Sequence, residues 1–435
     1  MLTGHFRFQY VTALPFVTFA AALFLFCVEV ALERPAHAEL TNFNSVMLGD
    51  RASGMGGAYT SMVDDPAASP YYNPATLARL KGSSLSTAVS LFNKYDTTYG
   101  GRSSLNDSIF RINRGQILSI PASSAIISSF HNFSAGLSIV LPEYQHYGGL
   151  IHASGNDSTY MHIDDQSLWV GGTFGLNISE HDALGMSAYY TSQSVSRSFT
   201  NEFAAGGGTT VENEALNLYT NSIVYLLGYY HEWPADSSGS VWRFGASYRF
   251  RSIIVDGSGS YSYSSVSTVT GATTPIIEDN LRADSRIADR LGLGVSLATN
   301  HGQTYSLDFS YSNGTTFSNL NRNGDLIDQV PTYNVAFGFE NHLEPWLALR
   351  LGLFTDNSFA PPVPMNPSRR YLDHVDKVGF SANLGIQTTE HTRVSLGGYY
   401  LGGSGEAAEK IGANYTVVSK TDRVFSFLVG SSYSF

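Results

Sequence analysis

The sequence predicts an all-β fold: a 14-stranded antiparallel transmembrane β-barrel with an N-terminal plug, or hatch, in its lumen. Three observations predict it. The composition is poor in charge and rich in aromatics and glycine. Segment after segment alternates apolar with small polar side chains. The joins between those segments alternate between short and long.

Composition comes first. Charged residues make up 14% of the chain, against roughly 25% in ordinary soluble proteins. Phe and Tyr number 26 each, beside 42 Gly. Beyond residue 38 no uncharged apolar stretch reaches the ~20 residues that a membrane-crossing helix needs. Little charge, many aromatics and no long apolar run suit a barrel with one face in lipid. The formal charge of −11 survives loss of the N-terminus, because Arg7 and Arg34 cancel Glu29 and Glu33. An acidic chain without basic clusters excludes nucleic acid as a partner.

The N-terminus reads as an export signal. Arg7 precedes an apolar run over 11–28, and Ala36-His37-Ala38 supplies the small residues of a cleavage site before Glu39. Cys27 is the sole cysteine, and Phe26 before it does not suit a lipoprotein site. The mature chain is therefore expected to hold neither thiol nor disulfide. Three regions follow: 1–38 signal peptide, 39–83 hatch, 84–435 transmembrane barrel. The expected location is the outer membrane of a Gram-negative-type bacterium.

Periodicity supplies the strands. Phe425, Phe427, Val429, Tyr433 and Phe435 alternate with Ser426, Gly430, Ser432 and Ser434. Successive strand side chains point to opposite faces, so one face is aromatic and the other small and polar. The same alternation marks Tyr305, Leu307, Phe309 and Tyr311, the leucines 347–353, and Trp242 to Phe250. Strands are predicted at 84–93, 122–130, 133–141, 166–177, 183–196, 218–231, 241–255, 286–298, 304–312, 333–340, 346–354, 377–387, 393–401 and 423–435. Any one of them suits a soluble sandwich equally well. The joins separate the two folds. Those at 131–132, 177–181, 233–240, 300–303, 341–345 and 388–392 are short. Those at 94–121, 142–165, 197–217, 256–285, 313–332, 355–376 and 402–422 are long. Short periplasmic turns and long outer loops organise a membrane barrel.

Residues 39–83 show no alternation and are rich in Gly, Ala, Asp and Pro. They contain Gly54-Met55-Gly56-Gly57-Ala58-Tyr59, Asp64-Asp65-Pro66 and Tyr72-Asn73-Pro74-Ala75. Pro74 fixes φ and Asn73 bonds nearby backbone, so Asn73-Pro74-Ala75 is a compact turn unit, inside a lumen or on an ordinary surface. The glycines lack the strand–loop–helix setting of a phosphate cradle.

Together with the Asn-Pro-Ala placed directly before the first strand, this segment resembles the hatch of the FadL/OmpP1/TodX family, outer-membrane transporters of long-chain fatty acids and aromatic hydrocarbons. Leu349-Arg350-Leu351-Gly352-Leu353-Phe354 and Asp373-His374-Val375-Asp376-Lys377-Val378-Gly379-Phe380 are similar to that family's late strand–loop–strand region. A final aromatic-ended strand resembles the signal read by the barrel assembly machinery. The resemblance implies passive uptake of a hydrophobic ligand through a plugged lumen, with hatch residues Gly54, Gly56, Gly57, Asn73, Pro74 and Ala75. It also implies a basic site for a fatty-acid headgroup. Arg243, Arg249, Arg251 and Arg350 lie on the polar parity of their strands, where a guanidinium could hold a carboxylate through paired hydrogen bonds. The plainer reading pairs them with lumen carboxylates such as Asp308. The family's sideways release through its third strand implies a lateral gap, for which Gly136 and Pro142 are the candidates; Pro142 lacks a ladder donor, but could equally end the strand at the rim.

No cofactor, metal or catalytic set is expected. The His residues are dispersed, without His-x-x-x-His or Gly-x-Ser-x-Gly. The remaining partner is membrane lipid. The alternative reading is a structural or shuttle barrel of a secretion or surface-assembly complex. An apolar pocket behind the hatch favours transport, and a wide polar lumen favours the scaffold.

Overall fold

The computed structural model describes residue 42 and residues 46–435, apart from 102–108, 117–119, 153–156, 274, 319, 321–325 and 412. The expected signal peptide, 1–38, lies outside the described residues.

Fourteen antiparallel strands form a closed barrel. They are β1 (Ser83–Gly101), β2 (Ile109–Gln116 and Ile120–Ser129), β3 (Phe133–His152), β4 (Ser158–Asn177), β5 (Asp182–Ala205), β6 (Gly208–Glu232) and β7 (Val241–Arg249 and Ile253–Ser267). Then follow β8 (Ile276–Arg282 and Arg290–Ala298), β9 (Gln303–Ser312), β10 (Thr332–Glu344), β11 (Leu347–Asp356), β12 (His374–Gln387), β13 (Thr392–Ile411) and β14 (Asn414–Ser434). Each pairs with its neighbours in sequence, and β1 pairs with β14 from Ser84↔Ser434 to Gly101↔Val418, which closes the ring. Closure leaves no edge, the condition for a sheet to cross hydrocarbon with its backbone groups satisfied. Among the described residues no helix is long and apolar enough to cross a membrane.

The alternation sorts the faces as the sequence predicts. On β9, Tyr305, Leu307, Phe309 and Tyr311 are exposed, whereas Ser306, Asp308, Ser310 and Ser312 are buried. The fourteen strands match the fourteen predicted segments in order.

Their lengths differ. Most of the joins predicted to be long loops are strand. On β5 and β6 the ladder runs to Ala205↔Gly208, so the 197–217 join shrinks to a turn at Gly206-Gly207. Both glycines have positive φ, 59° and 83°, which the two-residue hairpin turn requires. The joins at 142–165 and 402–422 shorten likewise, with β3 reaching His152 and β13 reaching Ile411. The reason is physical. On β5 the outward positions change from Leu184, Met186 and Tyr190 to Ser196, Ser198, Thr200 and Glu202. A strand that rises out of hydrocarbon loses the apolar outer face by which it is recognised.

Ahead of β1 lie two short helices, α1 (Asp50–Gly54) and α2 (Ser69–Tyr72), and a 3-10 turn, Pro74–Arg79. Residues 46–80 bond to strands around the whole ring: Gly49 to Ser123 of β2, Pro70 to Ser187 of β5, Asn73 to Tyr229 of β6, Tyr59 to Asp308 of β9, and Asp50 to Ser395 of β13. A segment tied to opposite walls of a closed barrel lies inside it.

The outward face generates a first prediction. Leu307→Arg on β9 should cost about 2–4 kcal/mol of unfolding free energy in lipid vesicles if that face meets the bilayer interior. Ser238→Arg, in the exposed β6–β7 turn, should be close to neutral. Equal costs in a denaturant titration would contradict the lipid-facing assignment.

Candidate functional site

The interior segment is fitted to the wall at the Asn-Pro-Ala turn. Asn73 is fully buried; its Oδ1 accepts from Ala75 N at 3.1 Å, and its Nδ2 donates to Thr60 O at 2.8 Å and Tyr229 O at 2.9 Å. Pro74 opens the 3-10 turn, where its missing N–H costs nothing. The wall opposite is Gly228 of β6 and Gly185 of β5. A Cβ on Gly228 would lie 2.1 Å from Asn73 Oδ1, and one on Gly185 would lie 2.2 Å from the Pro74 carbonyl carbon. Gly54, Gly56 and Gly57 sit on the other side. Gly56 N donates to Ser381 Oγ of β12 at 3.0 Å. A Cβ on Gly352 of β11 would lie 2.2 Å from Gly56 N, so backbone packs on backbone there.

A buried charge cluster anchors α1. Arg51 donates through Nη2 and Nε to Glu340 of β10 at 2.6 and 2.9 Å. Arg350 of β11 donates through Nε to the same carboxylate at 2.7 Å, and through Nη1 to Asn383 Oδ1 at 3.1 Å. All three groups are shielded from solvent, so the bidentate geometry offsets a large desolvation cost. Next to it, Asp65 accepts from Arg51 N at 2.8 Å and Ala52 N at 3.1 Å. Burial and the neighbouring charge of Asp50 raise its pKa to about 7.

The four arginines of the polar parity therefore part company. Arg350 is the wall half of this anchor. Arg243 pairs with Glu232 at 2.8 Å, and Arg251 with Asp289 at 3.2 Å. Asp308 takes none of the four; it accepts the Tyr59 and Thr60 N–H groups at 2.8 and 2.7 Å. Arg249 alone of the four stands against the apolar interior. It is buried, lies 5.6 Å over the Trp169 ring, and donates to Ala288 O at 3.2 Å.

That interior is a cluster of Val46, Leu48, Tyr71, Ala122, Val140, Trp169, Tyr189, Val224, Leu226 and Ile287. It joins residues of the interior segment to side chains of β2 to β6 and of the irregular link within β8. Trp169 is fully buried and stacks obliquely on Tyr71 and Tyr189 at 5.6 and 5.7 Å. A cavity of about 40 Å³ adjoins it, lined by Tyr71, Tyr72, Leu226, Arg249, Arg290 and neighbours. Nearer the outer end, a cavity of about 60 Å³ is lined by Tyr99, Phe199, Arg197, Arg370, Lys377 and Lys420. Its cations are met by Asp165, Glu409, Asp422 and Asp373.

The wall beside the cluster is interrupted. Pairing of β2 with β3 runs from Ser129↔Ser134 to Ser123↔Val140 and goes no further among the described residues. At the same level β3 slips against β4 between Val140 and Glu143, around Leu141 and Pro142. Ala122 and Val140, at the end of the ladder, both belong to the apolar cluster. Gly136 is no part of this break, contrary to the sequence expectation. It pairs with Ile127 on one side and Thr173 on the other. Its missing side chain answers a close approach instead, since a Cβ would lie 2.1 Å from Ile126 O.

Residue type and parity single out neither Trp169 nor the Arg51–Glu340 pair. Arg51 lies just ahead of the Gly54–Tyr59 run, and Glu340 keeps polar parity on β10, but only the folded register brings them together.

Two predictions follow. Glu340→Gln leaves two buried guanidiniums without their shared carboxylate and should cost roughly 3–5 kcal/mol, read as a lower unfolding midpoint and faster proteolysis within 46–80. Wild-type behaviour would contradict the anchor. Asp65 holds its proton more tightly folded than unfolded, so its contribution is present at acid pH and lost as pH rises through about 7. Protection factors over 50–70, with the intrinsic pH dependence of amide exchange divided out, should be higher at pH 5.5 than at pH 8, and Asp65→Asn should remove the difference. An unchanged difference in that variant would contradict the assignment.

No family model matches the sequence, and no curated protein matches it. Solved structures do. A FadL homologue from Pseudomonas aeruginosa superposes with a TM-score of 0.65 at 13% identity, over 91% of this chain and 100% of that one. The Pseudomonas putida toluene transporter TodX gives 0.63 at 15%, over 90% and 99%. The CymD monoaromatic hydrocarbon channel gives 0.59 at 15%, over 90% and 99%. The chain thus has, over nine-tenths of its length, the fold of the FadL-type fourteen-stranded barrels.

Proposed function

We propose that this chain is a FadL-family outer-membrane channel that passes small hydrophobic molecules, long-chain fatty acids or aromatic hydrocarbons, by passive diffusion and without catalysis. Residues 46–80 act as its plug, Gly54, Gly56, Asn73, Pro74 and Ala75 making close contacts with the wall and Gly57 packing within the segment against Tyr72 and Met47. Residues 1–38 direct export, and the barrel assembly machinery inserts the chain. Solved proteins of the same fold carry the names toluene transporter and monoaromatic hydrocarbon channel, in line with this reading.

The observation that carries it is the apolar cluster behind the interior segment, with the break in β2–β3 pairing at its flank. A wide polar lumen would have favoured a scaffold. Here Val140, Ala122 and Trp169 offer a hydrophobic ligand about 0.8 kcal/mol per buried CH₂. The cavities, about 40 and 60 Å³, are well under the roughly 150 Å³ that holds a benzene ring. A ligand must therefore displace side chains or the plug, which makes passage gated. Arg249, beside Trp169, is the candidate we assign to a carboxylate headgroup. The interrupted wall at Pro142 serves as the sideways exit, where a hydrophobic ligand passes into lipid without crossing the polar periplasmic end.

Labelled toluene and oleate uptake by a deletion strain tests this. Complementation with the wild type should restore uptake, Val140→Trp should cut it at least tenfold by filling the exit, and Arg249→Gln should impair oleate more than toluene. If deletion leaves uptake of both unchanged, the channel reading fails and the shuttle-barrel alternative takes its place.

A further inference from the structure

Above the break, three metal-ligating side chains share the outer face of β3 and β4. His146 stands directly opposite Asp164 in the ladder, and His162 opposite Gly148, two residues further on. The imidazoles meet edge to face with centroids 5.4 Å apart, and His146 Nδ1 lies 3.4 Å from Asp164 Oδ1. One ligand atom from each of the three residues falls within 4.8 Å of the other two. Their facing is set by parity: Met161, Ile163 and Asp165 are buried inward, so His162 and Asp164 point out, and all three ligands remain half-buried. Their height follows from the strand. Leu176, Phe174 and Val170 make the apolar outer face of β4. A transmembrane strand crosses hydrocarbon in about 9–11 residues, so the crossing that begins near Leu176 is complete near Gln166. His162 and Asp164 lie just beyond it, among polar headgroups.

We propose that His146, His162 and Asp164 form a binding site for a divalent transition-metal ion of the zinc class, with water completing the coordination. Two imidazoles and one carboxylate are the donor set such an ion prefers, whereas calcium and magnesium require oxygen. Metal–ligand bonds of about 2.0–2.2 Å place donors roughly 3.3 Å apart. Side-chain rotation closes the remaining distance, because the ladder already fixes the three backbone positions. The site has a structural consequence independent of what the barrel carries. Above Val140, β3 keeps its ladder to β4 but, among the described residues, none to β2. A metal bridging His146 to His162 and Asp164 stiffens the paired side of that part of the wall.

The full-length protein in detergent, titrated with zinc chloride by calorimetry and with cobalt chloride by visible absorption, tests the site. The expected result is one zinc per chain, unaffected by excess magnesium, and an intensified cobalt band that zinc abolishes. His146→Ala and His162→Ala should each weaken zinc at least tenfold. The pair His181→Ala/His231→Ala, beside Asp182 at the other end of the barrel, should leave it unchanged. Should a variant fail to fold, the wild-type cobalt band decides. Absence of saturable zinc binding and of that band overturns the proposal, as does zinc binding that survives loss of His146 and His162.

Discussion

Everything in this molecule follows from the ladder that joins β1 to β14. In hydrocarbon no water is present to satisfy an N–H or a carbonyl, so a sheet crosses a membrane only when its last strand bonds to its first. Ser84↔Ser434 through Gly101↔Val418 makes that bond here. Closure turns a two-faced sheet into a container. One parity must face lipid, which the exposed Leu307 and Phe309 accept, and the other must face an enclosed interior, which Ser306 and Asp308 accept.

Residues 46–80 bond to strands around the barrel, and the fit is made by small wall residues and by charge. Gly228 and Gly185 admit the Asn73-Pro74 turn at backbone distance, and Gly352 admits Gly56. Arg51, Glu340 and Arg350 fix α1 between neighbouring strands. Such contacts hold only in register: a slip by one residue would turn every wall glycine outward. The apolar cluster around Trp169 fills the space between this segment and β2 to β6. Among the described residues, the β2–β3 ladder ends where that cluster meets the wall, at Val140. A barrel can tolerate an unpaired stretch there because the neighbouring ladders, β3–β4 and β1–β2, persist.

How legible this was in the sequence depends on how local the cause is. The strands of the lipid zone were plain, because lipid demands an apolar side chain at every second position. The strand extensions above it were not. On β5, Ser196, Ser198 and Thr200 face outward beyond hydrocarbon, and their alternation reads as polar loop. The interior segment was legible as a compact turn unit through Asn73-Pro74 and its glycines. Its anchor was not, since Arg51 and Glu340 are 289 residues apart and meet only when the barrel closes. Parity selected four arginines, but parity says nothing of height along the barrel. Height decides that Arg249 reaches Trp169 while Arg243 ends beside Glu232. Pro142, which cannot donate to a ladder, lies where the β3–β4 register shifts. Gly136 carried no such constraint.

We propose that a hydrophobic ligand occupies the apolar cluster between residues 46–80 and the end of the described β2–β3 ladder. Anomalous diffraction from crystals soaked with a bromoalkane or a bromo-fatty acid locates it directly. The account predicts bromine inside the barrel within contact of Val140, Ala122 and Trp169, displacing side chains to make room. Bromine confined to the outer, lipid-facing surface, with the interior unchanged at saturating ligand, would contradict it.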